Sequence, residues 1–304
     1  MEVIVQPEDG INPLLEVIGE AKKSLDLIIF RFDLKGIEKA LGAAVTRGVA
    51  VRALIAHVNS SGEKRLRQLE LRMLEKGISV SRSGGDLVRY HAKLMVVDRE
   101  ELHLYGFNYT ELDLKSRSFG VITKDGKLVN EAIRLFDADA LRQDFEPTPD
   151  GLVVSPENAR EELATFIKRA KKSLAIYDPK VTDIQMIRLL NLRAKAGVDV
   201  RIIGKVGKRA HDLRVQKFQG KRLHVRAMIR DGDTAFVGSQ SLRALELDAR
   251  REVGLITRDP KVVKRIGEVF DDDWAKTDLG KKETKHFEKD QKQADDGVAE
   301  VTHS

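Results

Sequence analysis

The stretch His91-Ala92-Lys93-Leu94-Met95-Val96-Val97-Asp98 returns 133 residues later as His224-Val225-Arg226-Ala227-Met228-Ile229-Arg230-Asp231. Both copies read His-x-(Lys/Arg)-x-x-x-x-Asp and use two of the chain's seven histidines. One such match means little, because short patterns recur by chance. Here the flanks match as well. Val121-Ile122-Thr123-Lys124-Asp125 returns as Leu255-Ile256-Thr257-Arg258-Asp259, and Ala21-Lys22-Lys23-Ser24-Leu25 as Ala170-Lys171-Lys172-Ser173-Leu174. Arg47-Gly48-Val49-Ala50-Val51-Arg52 returns as Ala196-Gly197-Val198-Asp199-Val200-Arg201. Solenoid repeats recur roughly every 20 to 50 residues. A much longer period means a whole domain present twice.

Between the motifs, helical and strand patterns alternate. Asn12-Pro13 reads as a helix cap followed by proline at the first helical position, and Ile11, Leu14, Leu15 and Ile18 keep helical spacing. Leu25 to Phe30 reads as a buried strand. In the second half Ser155-Pro156 opens the matching helix, with Leu163, Phe166, Ile167 and Ala170 on one face, and Leu174 to Tyr177 is its strand. Leu34 to Thr46 and Asp183 to Ala196 are the next helices, closed by Gly48 and Gly197. Val49 to Ile55 and Val198 to Ile203 follow as strands. Leu94 to Val97 and Ala227 to Ile229 are apolar on both faces and should be central strands covered by helices. Each half then closes with a helix, Leu128 to Leu141 and Val262 to Trp274. The expected fold is α/β: two duplicated domains, each a mixed sheet flanked by helices, packed around one shared site. The halves should span residues 1–146 and 152–276, with a linker at 147–151. Residues 277–304 are charged and lack apolar periodicity, which predicts a disordered tail.

Composition narrows the class. No apolar run approaches the roughly 18 residues that span a bilayer. Met1 to Asp9 has neither the basic start nor the apolar core of a secretory signal, so the expected location is cytoplasmic. The chain has no cysteine, which removes disulfides, thiolate nucleophiles and thiolate metal sites. Its formal net charge of +6 suits an anionic partner. Much of the excess lies in Lys205, Lys208, Arg209, Arg214, Lys217, Lys221, Arg222 and Arg226, a run that leads into His224. It reads either as a solvated basic face or as a track that steers anions to that histidine.

Residues two apart on a strand share a face, so His91 and Lys93 should project together, as should His224 and Arg226. Asp98 and Asp231 have the opposite parity and are expected to hold turns. These residue types suit phosphodiester cleavage. A neutral imidazole can attack phosphorus to give a phosphohistidine while a protonated one donates to the leaving oxygen. Lys93 and Arg226 would neutralise the non-bridging oxygens. No metal or cofactor is called for. The plain alternative is two ordinary histidines at strand ends.

The paired pattern resembles the phospholipase D superfamily, whose signature is His-x-Lys-x4-Asp-x6-Gly-Ser-x-Asn and which joins two such halves around one site. The resemblance covers roughly residues 1–275. The downstream signature is divided between the halves. Tyr105-Gly106-Phe107-Asn108 keeps the asparagine and loses Gly-Ser, whereas Gly238-Ser239-Gln240-Ser241 keeps Gly-Ser and loses the asparagine. Glu252 stands 28 residues after His224, where the family places a carboxylate that orients the histidine, and the aligned residue of the first half is Ser118. The resemblance thus implies catalytic roles for His91, Lys93, His224, Arg226 and Glu252, substrate contacts from Asn108 and Ser239, and structural roles for Asp98 and Asp231. It gives His224 the orienting partner Glu252 and leaves His91 without one. His91 is the expected nucleophile and His224 the acid. The implied substrate is a phosphodiester, with a phospholipid head group ahead of a nucleic-acid backbone; a phosphate-binding module without turnover is the third reading. Peripheral contact with an anionic membrane or nucleic acid is open, and a monomer with a pseudo-twofold pair of halves is expected.

Overall fold

The computed structural model describes residues 1–57, 63–210, 213–220 and 222–286. Strands β1 (Glu2–Gln6), β2 (Ser24–Ile29), β3 (Ala50–Ile55) and β4 (Ser79–Arg82) lie in the first half, with β5 (Arg89–Tyr90), β6 (Leu94–Val97), β7 (Glu101–Tyr105) and β8 (Ser118–Thr123). The second half holds β9 (Leu152–Ser155), β10 (Ser173–Val181), β11 (Asp199–Val206), β12 (Arg214–Gln216), β13 (Arg226–Arg230), β14 (Thr234–Gly238) and β15 (Arg250–Thr257). One sheet runs β1-β8-β7-β6-β2-β3-β4; the other runs β12-β11-β10-β13-β14-β15-β5, with β9 also paired to β15. The two orders are the same once matching strands are equated, apart from β5, which the first half adds to the second sheet. In each, the first three strands after the opening helix pair in parallel and the motif strand joins them antiparallel. This is the duplicated α/β arrangement that the repeat predicts.

Helices α1 (Asn12–Glu20), α2 (Lys35–Thr46) and α3 (Glu63–Glu75) cover the outer face of the first sheet, and α4 (Glu111–Leu114) is a short turn beside it. Helix α5 (Gly126–Leu141) closes the first half, α6 (Ala159–Lys168) and α7 (Ile184–Lys195) cover the outer face of the second sheet, and α8 (Ala244–Asp248) and α9 (Pro260–Ala275) follow. The largest core lies between the sheets. Leu94, Val96, Ala227 and Val237 meet Ile133 and Phe136 of α5 and Ile266 and Phe270 of α9 there, so the halves share one interior. Burying apolar faces of both copies against each other fixes their relative position better than a linker can.

Two devices position the motifs, and each occurs twice. Asp98 has a φ of 52° and accepts bonds from the amides of Lys22 (3.0 Å), Lys23 (2.6 Å) and Ser24 (2.9 Å). Asp231 has a φ of 55° and holds Lys171, Lys172 and Ser173 at 3.0, 2.6 and 3.0 Å. Aspartate tolerates this left-handed turn, and its carboxylate ties the far end of the motif strand to the start of β2 or β10. The second device joins the halves. The His91 amide donates to the Arg251 carbonyl at 2.8 Å, and the His224 amide donates to the Arg117 carbonyl at 3.0 Å. The side chain of Arg251 then clasps Asp139 of α5 at 3.0 Å, and that of Arg117 clasps Asp273 of α9 at 2.8 Å. Tyr90 and Tyr177 donate to the same two carboxylates at 2.6 Å. Each arginine therefore ties its strand to the other half, beside the other half's histidine.

Some local expectations need correction. Residue Asn12 is already helical, with Ile11 at the N-cap. Ser155 belongs to β9, paired opposite Glu252, and α6 begins only at Ala159. Asn158 does not cap that helix, because its side chain bonds Val154 and Leu152 of the preceding strand. The tail prediction fails for residues 277–286. Thr277 is buried, residues 278–286 are helical, Leu279 packs on the central core, and Trp274 donates to Glu283 at 3.0 Å. Residues 287–304 lie outside the described residues. Among the described residues no helix is long and apolar enough to cross a membrane.

Candidate active site

Residues 91–93 are extended chain between β5 and β6 rather than part of either strand. Their side chains still meet as the parity argument expects. The Lys93 ammonium lies 3.1 and 3.2 Å from the two ring nitrogens of His91 and donates to the His91 carbonyl at 2.6 Å. Phe30 packs edge-on against the His91 ring, with 4.6 Å between centroids. In the second copy Arg226 reaches the His224 carbonyl at 3.3 Å and the Ser241 hydroxyl at 3.2 Å. Both histidines are buried to within a few per cent, His91 at 7% exposure and His224 at 6%.

The orienting carboxylate belongs to the other histidine from the one expected. Glu252 lies 2.7 Å from Nδ1 of His91 and is fully buried. The cause is the short strand β5, which pairs in parallel with β15 and lays Tyr90-His91 alongside Arg251-Glu252. The same pseudo-dyad brings Ser118 to His224, where its hydroxyl is 3.4 Å from the His224 carbonyl. The carboxylate nearest His224 is Asp113, whose Oδ2 is 3.4 Å from Nδ1, and that ring nitrogen has no hydrogen-bond partner.

Asp113 was missed in the sequence. It sits on α4 and accepts bonds from the Asn108 amide at 2.8 Å, the Asn108 side chain, and the guanidinium of Arg222. A signal existed. Glu246 does the same for Ser241 at 2.8 Å, so both copies place an acid five residues after the Asn108/Ser241 position. Asn108 and Ser239, expected to touch substrate, are buried; Asn108 donates to Asp113, and its Oδ1 has no hydrogen-bond partner. Ser239 accepts from the Val253 amide at 3.1 Å, next to Glu252. The basic run does not form one patch. Arg214 pairs with Asp199 at 2.6 Å and with Glu283, and Arg222 is tied to Asp113. Lys205, Lys208, Arg209 and Lys217 are exposed, while Lys221 lies outside the described residues.

Burial and mutual repulsion set the resting charges. Burial lowers the His91 pKa well below the usual histidine value, and Lys93 and Arg226 push the same way. His224 is lowered by burial and then by Arg226, Arg222, Lys93 and His91. Burial brings Lys93 down to about 7 against the pull of Glu252, and raises the Glu252 carboxyl against the pull of Lys93. An arriving phosphate would reverse the balance, because its negative charge favours the protonated form of each base. The site is thus arranged to take up protons with its anion. Among the described residues there is no cluster of three or more metal-ligating side chains.

Two histidines and two cations, at the heads of the matching strands β6 and β13 of a duplicated α/β fold and held across a pseudo-dyad, make up a two-motif site whose residue types suit phosphodiester chemistry. The chain belongs to the phospholipase D superfamily: a family model described as cardiolipin synthase, PLD-like domain, matches residues 14–140 and 163–274, one stretch in each half. A mouse protein named mitochondrial cardiolipin hydrolase is 27% identical over 144 residues, which is 46% of this chain and 62% of that protein's length. Two solved structures share the fold. Polyphosphate kinase from Porphyromonas gingivalis superposes with a TM-score of 0.74 at 19% identity, over 88% of this chain and 49% of its own. Phosphatidylserine synthase from Haemophilus influenzae superposes with a TM-score of 0.68 at 13% identity, over 90% of this chain and 86% of its own.

Proposed function

We propose that the chain is a phosphodiesterase or phosphatidyltransferase that acts on phospholipids through a covalent phosphohistidine on His91. The observation that carries this reading is the 2.7 Å contact of Glu252 with Nδ1 of His91. A buried carboxylate there keeps the proton on Nδ1 and the lone pair on Nε2, from which the Lys93 amine at 3.2 Å must move to the phosphate, and it stabilises the ring as it becomes cationic. Nε2 attacks phosphorus, and the bond to the leaving oxygen breaks as His224 gives that oxygen a proton. In the second step His224 takes a proton from water or an alcohol. The oxygen attacks phosphorus, and the N–P bond breaks with its electron pair returning to His91. Lys93 and Arg226 hold the non-bridging oxygens throughout. His224 is neutral in the free protein, so the incoming phosphate must raise its pKa before it can act as the acid.

A phospholipid substrate is supported by the family description and by the name of the mouse relative. Rapid acid quench during turnover on phospholipid vesicles, followed by peptide mapping, tests the mechanism. Label on the peptide that carries His91 is expected. Label on His224 would reverse the roles, and turnover without His91 would end the phosphohistidine reading. Parallel assays on single- and double-stranded DNA test the substrate class, and cleavage of DNA alone would move the assignment to a nuclease.

A further inference from the structure

Four cationic side chains of lysine or arginine are less than a tenth exposed among the described residues: Lys93, Arg117, Arg230 and Arg251. Arg117 and Arg251 have carboxylates at 2.8 and 3.0 Å. Lys93 lies in the candidate active site, where a phosphodiester supplies the countercharge. Arg230 forms no ion pair among the described residues. Its guanidinium donates to the Thr234 hydroxyl at 3.0 Å, approaches the Phe166 carbonyl at 3.5 Å, and lies 4.8 Å over the Phe166 ring. Its nearest countercharges, Asp233 and Asp231, act on it without contact, Asp233 through the Thr234 hydroxyl, which donates to it at 2.6 Å. Burying a charge without a direct partner is costly. The fold does not require it, since the aligned residue of β6 is Val97, equally buried at 7%.

Arg230 ends β13, about 20 Å along the strand from His224. There it lines a cleft of about 340 Å³ between α6 and the ends of β9, β14 and β15. Arg169 and Arg258 line the same cleft, and neither forms an ion pair among the described residues. At the aligned places the first half has Glu20, Val97 and Lys124, and Lys124 is 3.3 Å from Glu101. Three arginines therefore converge in one copy only. Asp150 and Glu162 also line the cleft, with Thr165, Thr234 and Thr257. A bare polyanion would be repelled by the two acids. A phosphate that carries a hydroxyl or ammonium would meet both sets of groups.

We infer that the second half holds a separate site for a small phosphate monoester, with the phosphate on Arg169, Arg230 and Arg258 and its donor group toward Asp150 and Glu162. The Arg230 guanidinium is pre-placed by Thr234 and Phe166, so little order is lost on binding. Such a site lies apart from the chemistry at His91.

Titration of the isotope-labelled full chain with glycerol 3-phosphate, followed by amide chemical shifts, tests this. The amides of Thr165, Thr234 and Thr257 should shift saturably. Arg230→Val, which installs the residue used by the first half, should weaken that midpoint about tenfold or more, the effect of losing one charge-assisted contact. Should that variant not fold, the double variant Arg169→Ala/Arg258→Ala changes only exposed residues and should weaken it comparably. Amides that do not move, or a midpoint that neither variant changes, would overturn the site. Inorganic phosphate run alongside should bind more weakly; equal midpoints would overturn the monoester assignment.

Discussion

Replacing Lys93 with methionine should stabilise the protein at neutral pH while abolishing turnover. Burial holds the Lys93 ammonium at about 7, against 10.5 for a free lysine. Between those values the unfolded chain carries a proton that the folded protein lacks. Stability therefore rises with pH across that window, by up to about 1.4 kcal/mol per pH unit, and the benefit is lost as pH falls toward 7. The whole depression corresponds to at most about 5 kcal/mol of folding free energy. The actual figure is smaller, because structural relaxation relieves part of the cost of a buried charge. Methionine occupies similar space without a charge but forgoes the bond to the His91 carbonyl, a loss of about 1 kcal/mol. A net gain of about 2 kcal/mol at pH 7 is expected, shrinking to nothing at about pH 10, where the unfolded lysine begins to lose its proton and the forgone bond cancels what remains. Urea unfolding of both proteins at about pH 7, 8 and 9 measures it. The buried tyrosines titrate in both proteins and cancel in the comparison. A variant less stable at pH 7, or two parallel pH curves, would refute the idea that burying this amine costs folding free energy.

The same electrostatics predict proton uptake when orthovanadate, as a phosphate mimic, binds at about pH 8, since burial and the neighbouring cations keep His224 and Lys93 neutral until an anion arrives. Calorimetry in two buffers of different ionisation enthalpy reads the uptake, and heats that do not depend on buffer would contradict it. Glu252→Gln should lower kcat on the order of a hundredfold or more with little change in KM, as loss of an orienting carboxylate does elsewhere. Asp113→Asn should cost less, because its contact with His224 is 3.4 Å against 2.7 Å; a larger loss from Asp113→Asn would exchange the roles of the two histidines. Arg251→Met should destabilise by about 3–5 kcal/mol, because Asp139 is left buried without its partner. Chemical denaturation checks this, and an effect below about 1 kcal/mol would show that the clasp does not hold the halves.

What the sequence made legible was local or repeated. The strands around Leu94 and Ala227 stood out because they are apolar on both faces, and Gly48 and Gly197 marked helix ends in matching places. Asp98 and Asp231 could be set aside from the reacting groups by parity alone. What stayed hidden depends on contacts between the halves. Strand β5 is two residues long and has no pattern of its own, yet it decides which histidine receives Glu252. Alignment along the chain assigned Glu252 to His224, 28 residues upstream, while the pseudo-dyad exchanges the partners. Ser155-Pro156 carried a helix-start signal that pairing with Glu252 overrides. The segment after Lys276 looked polar throughout, but Leu279 and the Trp274–Glu283 bond suffice to seat its first turns.

A duplicated fold presents two equal histidines to a reaction that needs unequal ones. The clasps do not separate them: Arg251 with Asp139 and Arg117 with Asp273 hold both backbones alike. The difference lies in side chains that have diverged between the copies. Glu252 stands where the other half has Ser118, so only His91 gains a carboxylate in direct contact with Nδ1. That contact fixes one tautomer, which suits a nucleophile that must present the same nitrogen every cycle. His224 has Asp113 nearby without a hydrogen bond to Nδ1, and burial, with Arg226, Arg222 and Lys93 around it, depresses its pKa. Its protonation therefore follows whatever charge enters the site, which suits a group that must give up a proton in one step and accept one in the next. Lys93, fully buried beside His91, and Arg226, half-buried and tied to Ser241, extend the asymmetry. The copies share a scaffold, and it is through these few substitutions that the proposed mechanism divides the labour between them.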